Sequence, residues 1–198
     1  MRVKLFALTY GNKRQELLTK NLLCAGYDYD YRYIEISPLH SALNFGLLQL
    51  NDYDAIMFLA NDIEEPNDWL KLRVEKMESD KSIGIVSIYP SLPPIPHGAD
   101  LIGNYLISSK LITEIGYFSE AYGDYGPIDL DYCNRARLAG FKTEYVDGVT
   151  AEHKDWNTDM AYGYSKKEHV DKVWPQYNND IANYNSGLKS IKNFNVSS

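Results

Sequence analysis

Apolar segments alternate with helical spacings along the first ninety residues of the chain. Four segments are typical of strands: Val3–Thr9, Tyr31–Ile36, Asp54–Leu59 and Ile83–Ile88. Apolar side chains recur with the period of a helix over Lys13–Ala25, Ser41–Leu50 and Asp68–Met77. Because strands and helices alternate, and crossovers of this length join parallel strands, the pattern predicts an α/β fold. Its central sheet should be mostly parallel and flanked by helices.

The pattern changes after residue 88. Four prolines between residues 89 and 97 predict a loop. The elements predicted next are a strand over Asn104–Ser108, a helix ended by Gly116, a helix over Ile128–Ala139, and strands over Lys142–Val146 and Val149–Glu152. The remaining residues are polar and aromatic, with a helical pattern over Ser165–Val173 that should break at Pro175.

The third predicted strand ends abruptly in Asn61 and Asp62. A continuous apolar run of this length, bounded by turn residues, is typical of a strand buried on both faces. Open α/β sheets bind ligands at the carboxyl ends of their parallel strands. Asp62 is therefore predicted to lie where a ligand is met, although Asn and Asp also favour plain turns.

Composition narrows the class of protein. The formal net charge of −7 and the pI near 5.1 disfavour a nucleic-acid binder held by bulk electrostatics. Two scattered cysteines indicate a reducing compartment, and no segment predicts a signal peptide or a membrane span, so we expect a cytoplasmic protein. Because Gly-x-Gly-x-x-Gly and Gly-Lys-Ser/Thr motifs are absent, a dinucleotide oxidoreductase and a P-loop NTPase are disfavoured.

Four motifs together resemble those of inverting glycosyltransferases of the family-2 type, which have a GT-A fold. They are Leu59-Ala60-Asn61-Asp62 with Pro66 and Trp69 behind it, Ala42-x-Asn44-x-Gly46, Gly116-x-Phe118-x-Glu120 followed by Asp129-x-Asp131-x-Cys133-x-Arg135, and His153 after a strand. Two positions depart from the family pattern. Ala60 stands where many relatives carry Asp or Asn, and Ile128 stands where many carry Glu.

The resemblance implies an enzyme that transfers a hexosyl or pentosyl group, with inversion, from a nucleotide-diphosphate sugar to a hydroxyl acceptor. A UDP-sugar is the favoured donor, and the acceptor would be a glycan, a small molecule or a modified nucleic acid. The implied organisation is one GT-A domain over residues 1–155. Its donor half ends at about residue 104, its acceptor and catalytic half spans about 105–155, and a partly helical extension covers 156–198.

The resemblance also implies that Asp62 and His153 hold Mn²⁺ or Mg²⁺. A hard divalent cation bridging the diphosphate stabilises the charge that grows on the leaving group. An imidazole ligand shifts the preference towards Mn²⁺. A lone histidine after a strand is also a common structural residue, and that alternative stays open.

Asp129 and Asp131 lie in the first turn of their predicted helix. The resemblance implies that Asp129 is the general base that takes the proton from the acceptor hydroxyl. Asp131 is the alternative candidate for this role. Carboxylates in a first turn are favoured by the helix dipole in any protein. Asp131 lies four residues before Arg135 and can form a structural ion pair with it.

The donor should lie over the ends of the first two strands and beside the third. The predicted donor-contacting residues are Thr9, Tyr10, Asn12, Glu35, Asn44 and Asn61. Tyr10 and Asn12 fit plain turn chemistry equally well.

Three rival functions and one structural question remain open. A non-catalytic relative that binds nucleotide sugars would explain Ala60 and Ile128. A nucleotidyltransferase also uses a metal and an α/β sheet. A phage-type enzyme that glycosylates a hydroxylated DNA base would suit a short chain rich in Asn, Lys, Ile and Tyr.

The role of the aromatic residues in the C-terminal extension also has two interpretations. They either dock the extension on the domain or form a platform for a sugar: Trp156, Tyr162, Tyr164, Trp174 and Tyr177.

Overall fold

The computed structural model describes residues 1–9, 14–90, 104–123, 126–154 and 166–196. The strands within these ranges are β1 Val3–Leu8, β2 Asp30–Ile34, β3 Ala55–Ala60, β4 Ile63–Glu64, β5 Ile83–Pro90, β6 Tyr105–Ser108 and β7 Lys142–His153. The helices are α1 Gln15–Leu23, α2 Leu39–Leu48, α3 Trp69–Ser79, α4 Ser109–Ile115, α5 Ile128–Leu138 and α6 Lys166–Asn185. None of the helices in these ranges combines the length and the apolar character that crossing a membrane requires.

The strands form one mixed sheet in the order β2-β1-β3-β6-β5-β7-β4. β1 pairs in parallel with β2 and β3, and β5 pairs in parallel with β7. These pairings confirm the predicted α/β class, and β2, β1, β3, β5 and β7 run in the same direction within the mixed sheet. β6 is inserted antiparallel between β3 and β5. The sequence predicted this short strand but not its place, because an apolar run does not specify its neighbours.

Helices cover both faces of the sheet. One core joins the sheet to α2, α4 and α5, and the other joins it to α1 and α3. The predicted burial of β3 on both faces is confirmed, since Phe58 lies in the first core and Met57 and Leu59 lie in the second. Trp69 is fully buried in the second core, as predicted.

Two sequence predictions about element boundaries were wrong. The strands predicted over 142–146 and 149–152 are one strand, β7, whose register against β5 jumps from Ser87–Tyr145 to Tyr89–Thr150. Gly148, which suggested a turn, lies at this irregularity with φ 74°. Glycine adopts a positive φ without strain, and a bulge bends a strand without ending it.

The second error concerns α6, which continues through Pro175 instead of breaking there. Residues beyond the proline are anchored on the domain. The Tyr177 hydroxyl accepts a 2.6 Å hydrogen bond from Asn134, and Asp180 and Tyr184 are buried. We attribute the continuous helix to this packing, which offsets the backbone hydrogen bond that proline removes.

Tail residues after α6 also contact the domain. Tyr117 donates a 2.6 Å backbone hydrogen bond to Asn193, and Asn193 donates one of 2.9 Å to Ile115. Tyr177 and Trp174 pack against each other, and Tyr177 packs on Tyr122. These contacts agree with docking of the extension, whereas Trp156, Tyr162 and Tyr164 lie outside the described residues.

Candidate active site

A short strand pairing brings the carboxyl end of β3 next to the end of β7. β4 begins one residue after Asp62 and pairs antiparallel with β7, so that Ile63 lies opposite His153. The backbone of Lys154 donates a 2.7 Å hydrogen bond to the Asp62 carbonyl. Two side chains that are 91 residues apart in the sequence (153 − 62) are thereby held together.

Asp62 Oδ2 lies 3.6 Å from His153 Nε2. The Asp62 side chain is 20% exposed, so a ligand can reach it, and the His153 side chain is 6% exposed. His153 Nδ1 lies 3.1 Å from the Lys154 carbonyl, which only accepts hydrogen bonds. Nδ1 is therefore the nitrogen that donates to this carbonyl, and Nε2 is the ring nitrogen on the side of Asp62.

This pair of atoms fits one divalent cation. With metal–ligand bonds of about 2.1 Å, two ligands of the same ion can lie up to about 4.2 Å apart. The described residues contain no cluster of three or more His, Cys, Asp and Glu side chains that could hold a metal. A site of this kind would depend on substrate phosphates and water for its other ligands, as Mg²⁺ sites usually do.

A buried polar network supports the turn that carries Asp62. Arg73 on α3 forms an ion pair with Glu65, with an Nη2–Oε1 distance of 2.7 Å. Asn104 donates a 2.6 Å hydrogen bond to the same Oε1, and its own Oδ1 accepts a 2.5 Å hydrogen bond from the Ala60 backbone. Glu65, Arg73 and Asn104 are all at most 4% exposed. The network therefore fixes the last residue of β3 from inside the protein.

Our sequence predictions did not include this network. Its only local signal is Arg73, a charged residue within the helical segment of Leu70, Leu72 and Val74. Fully buried arginines require a partner. The partner, Glu65, lies outside the helix.

Glu64, the neighbour of Glu65, is half-buried and forms ion pairs with Lys154 and Lys20. Hydrogen bonds from these two lysines lower the pKa of Glu64 to about 2. A carboxyl group whose pKa is depressed in the folded state stabilises the fold above its unfolded-state pKa. That contribution is lost as the pH falls through the folded-state value.

We therefore expect Glu64→Gln to flatten the acid dependence of stability. The difference in unfolding free energy between wild type and variant should be largest above pH 4.5 and should shrink towards pH 2. Urea unfolding at a series of pH values measures this difference. A difference that stays constant over the range would contradict the assigned ion pairs.

Asp129 lies in the first turn of α5 and is half-buried. Its Oδ1 accepts a 3.0 Å hydrogen bond from the Leu130 backbone, and it lines a small cavity with Tyr105 and Tyr132. Burial first, and then the Asp129 carboxylate, hold the pKa of Tyr105 well above its usual value. Tyr105 pairs with Phe58 of β3, four residues before Asp62 in the sequence, so the cavity beside Asp129 adjoins the later part of β3.

Asp131 occupies a different environment and is fully buried. Its Oδ2 accepts a 2.8 Å hydrogen bond from Arg135 Nε, which confirms the ion pair predicted from the four-residue spacing. The hydroxyls of Tyr122 and Tyr184 lie 3.0 and 3.1 Å from its Oδ1. Because these groups occupy the carboxylate, Asp131 has a structural role, whereas the carboxylate of Asp129 is only half-buried.

The predicted donor-contacting residues fall into separate groups. Thr9 joins the ends of β1 and β2, since its backbone and hydroxyl both donate to the Ile34 carbonyl, and Glu35 is exposed beside it. Asn61 is half-buried next to Asp62. Tyr10 and Asn12 lie outside the described residues.

Asn44 is enclosed by protein, and only 2% of it is exposed. Its amide nitrogen donates to the Phe118 carbonyl at 3.2 Å, and its amide oxygen accepts from the Phe118 backbone at 2.8 Å. In the structure, Asn44 therefore connects α2 to the segment after α4 by two hydrogen bonds. It does not bring the Asn44 side chain to an open surface.

Comparison with known proteins gives no match to a protein-family model and none to a curated protein. Solved structures do match. The mannosyltransferase of Pyrobaculum calidifontis, in complex with GDP-Man and Mn²⁺, superposes on 79% of this chain with a TM-score of 0.60 and 15% identity. This chain spans 58% of the length of that protein.

The catalytic domain of Drosophila β1,4-galactosyltransferase 7, in complex with xylobiose, gives a TM-score of 0.61 and 20% identity. A mutant of the same enzyme, in complex with manganese, UDP-Gal and xylobiose, gives 0.59 and 17%. Both matches cover 85% of this chain and 79% of theirs. At these identities the likeness establishes the fold alone: the chain has the GT-A-type fold of these glycosyltransferases.

Proposed function

We propose that this protein is a metal-dependent glycosyltransferase that moves a sugar from a nucleotide-diphosphate sugar to a hydroxyl acceptor, with inversion. The observation that carries the proposal is the approach of Asp62 and His153 to 3.6 Å at the carboxyl end of β3. In open α/β sheets this is the end that binds ligands. The bound GDP-Man, UDP-Gal and Mn²⁺ of the matching structures support the same class of donor and cofactor.

Asp62 and His153 are the residues that would hold Mn²⁺ or Mg²⁺. When bound, such an ion supplies positive charge that stabilises the leaving diphosphate. Thr9, Glu35 and Asn61 lie at the ends of β1, β2 and β3 and are our proposed contacts for the nucleotide and the diphosphate. A UDP-sugar is the donor that we favour.

Asp129 acts on the acceptor in this proposal. The acceptor oxygen attacks the anomeric carbon while the bond from that carbon to the diphosphate oxygen breaks, and the hydroxyl proton passes to the Asp129 carboxylate. A single displacement of this kind inverts the anomeric centre. Orientation of the two reactants supplies much of the rate enhancement.

A second candidate function is nucleotide-sugar binding without transfer. Ile128 is 2% exposed and packs in the core, so this position presents no carboxylate to a substrate. Ala60 contributes only its backbone to the network behind Asp62. These two positions favour a relative that keeps the donor site and has lost the transfer step.

The proposed metal site predicts linked binding of metal and donor. We expect the melting temperature to rise when Mn²⁺ and UDP-Gal or GDP-Man are added together, and to rise less with either alone. A ligand at 100 times its Kd stabilises the native state by about 2.7 kcal/mol. Asp62→Asn should abolish the part that depends on Mn²⁺, as measured by thermal shift and calorimetry.

Asp52→Asn is the matched control, because it removes the same charge from an exposed residue that lies just before the start of β3, at the end of the strand away from Asp62. It should respond to Mn²⁺ and donor as wild type does. Equal responses of Asp62→Asn and Asp52→Asn would contradict the metal site. A response to nucleoside triphosphates alone would indicate a nucleotidyltransferase. Donor binding without transfer to glycan, small-molecule or hydroxylated-DNA acceptors would favour the second candidate.

A further inference from the structure

A buried polar cluster joins the C-terminal residues to the helix that carries Asp129. At its centre is Asp131, whose carboxylate contacts Arg135 of its own helix, Tyr122 of the preceding loop and Tyr184 of α6. The Tyr122 hydroxyl also lies 3.1 Å from Asp180 of α6, so its one hydrogen has a carboxylate acceptor on either side. Asp180 is paired in turn with Lys189 at 2.8 Å.

The tyrosine hydroxyls are donors to this cluster at every ordinary pH. Burial first, and then the Asp131 carboxylate, raise the pKa of both Tyr122 and Tyr184. Both hydroxyls therefore remain protonated. Tyr184 is 7% exposed, so its hydrogen bond is sheltered from water. Charge-assisted hydrogen bonds of this kind are stronger than neutral ones.

Arg135 extends the cluster to two further segments. Its guanidinium donates to the Ile115 and Tyr117 carbonyls at the end of α4 and to the Ile191 carbonyl of the C-terminal tail. The amide of Asn193 adds a 3.1 Å hydrogen bond to the Phe118 carbonyl. The tail is thus held, with α5, against the residues that follow α4.

We infer that the C-terminal residues 176–196 belong to the acceptor half, and that Tyr184, acting through Asp131, positions the Asp129 carboxylate. This inference rests on the proposed function. Asp131 follows Asp129 by two residues in the same helical turn, so a shift of one moves the other. A displacement of about 1 Å at a reacting group can lower the rate about 100-fold.

Tyr184→Phe tests the inference, because it removes one hydroxyl and keeps the ring. We expect kcat for sugar transfer to fall about 10-fold, by the same sensitivity of rate to position. The Kd and KM for donor in the presence of Mn²⁺ should stay within twofold of wild type. A purely structural hydroxyl would lower the melting temperature and leave kcat unchanged at temperatures where the variant is fully folded.

Tyr29→Phe is the matched control, since its half-buried hydroxyl donates to the Leu22 carbonyl beside the other core and contacts neither α5 nor Asp131. Its kcat should match wild type. If Tyr184→Phe does not fold, Asp180→Asn is the second variant to measure. It weakens the hydrogen bond between Tyr122 and Asp180, and we expect it to lower kcat as well. Wild-type kcat in both Tyr184→Phe and Asp180→Asn would overturn the inference. A wild-type protein that transfers no sugar would overturn the proposed function first, and the inference with it.

Discussion

Asp129→Asn should lower the rate of sugar transfer by about 100- to 10,000-fold, the range that a positioned general base contributes. The amide cannot take the proton of the acceptor hydroxyl. Its shape and its carbonyl oxygen are retained, so the hydrogen bond from Leu130 can still form and the start of α5 should be preserved. Initial-rate measurements give kcat, and calorimetry with Mn²⁺ and donor shows whether binding is retained.

Glu114→Gln is the control for loss of a carboxylate on a neighbouring helix, because Glu114 is exposed on α4 and pairs only at the surface with Lys192. It should transfer sugar as wild type does. Asp131→Asn would act differently from both, since it weakens a buried ion pair and should destabilise the fold. Undiminished transfer by Asp129→Asn would exclude this residue as the base.

Most of the features that could be predicted from the sequence depend on local patterns of residues. The period of the apolar residues defined the helices and strands of the α/β layers, and the spacing of Asp131 and Arg135 predicted their ion pair. The cap of α4 is a signal of the same local kind, because the Ser108 hydroxyl accepts a hydrogen bond from Leu111 three residues later. Each of these features depends on residues within a few positions of one another.

The remainder depends on residues far apart in the chain. The two-residue strand β4, which aligns Asp62 with His153, is too short to be recognised from a pattern. Asn44 was assigned to the donor site by resemblance alone. Its hydrogen-bond partner is Phe118, which is 74 residues away in the sequence, so no local pattern indicated that Asn44 is enclosed. Pro175 misled the prediction of α6 because the contacts that hold the helix come from another element.

Glu65→Leu should destabilise the protein by about 3–5 kcal/mol, the cost of removing one partner of a buried ion pair. It leaves the guanidinium of Arg73 uncompensated, with both side chains at most 1% exposed in the native structure. It also removes the acceptor for the amide of Asn104, which holds the backbone of Ala60. Urea unfolding at neutral pH measures the change in free energy.

The double variant Glu65→Leu/Arg73→Met separates the two causes of this loss. Replacing both members of a buried pair with apolar side chains is often neutral or stabilising, so most of the stability should return. Glu64→Gln provides the comparison one residue away, where an ion pair near the surface contributes about 0–1 kcal/mol. A double variant as unstable as Glu65→Leu would show that the hydrogen bonds to Asn104, and not the buried charge, dominate. Weaker Mn²⁺ binding in a fully folded double variant would then show that the network also holds Asp62 in place.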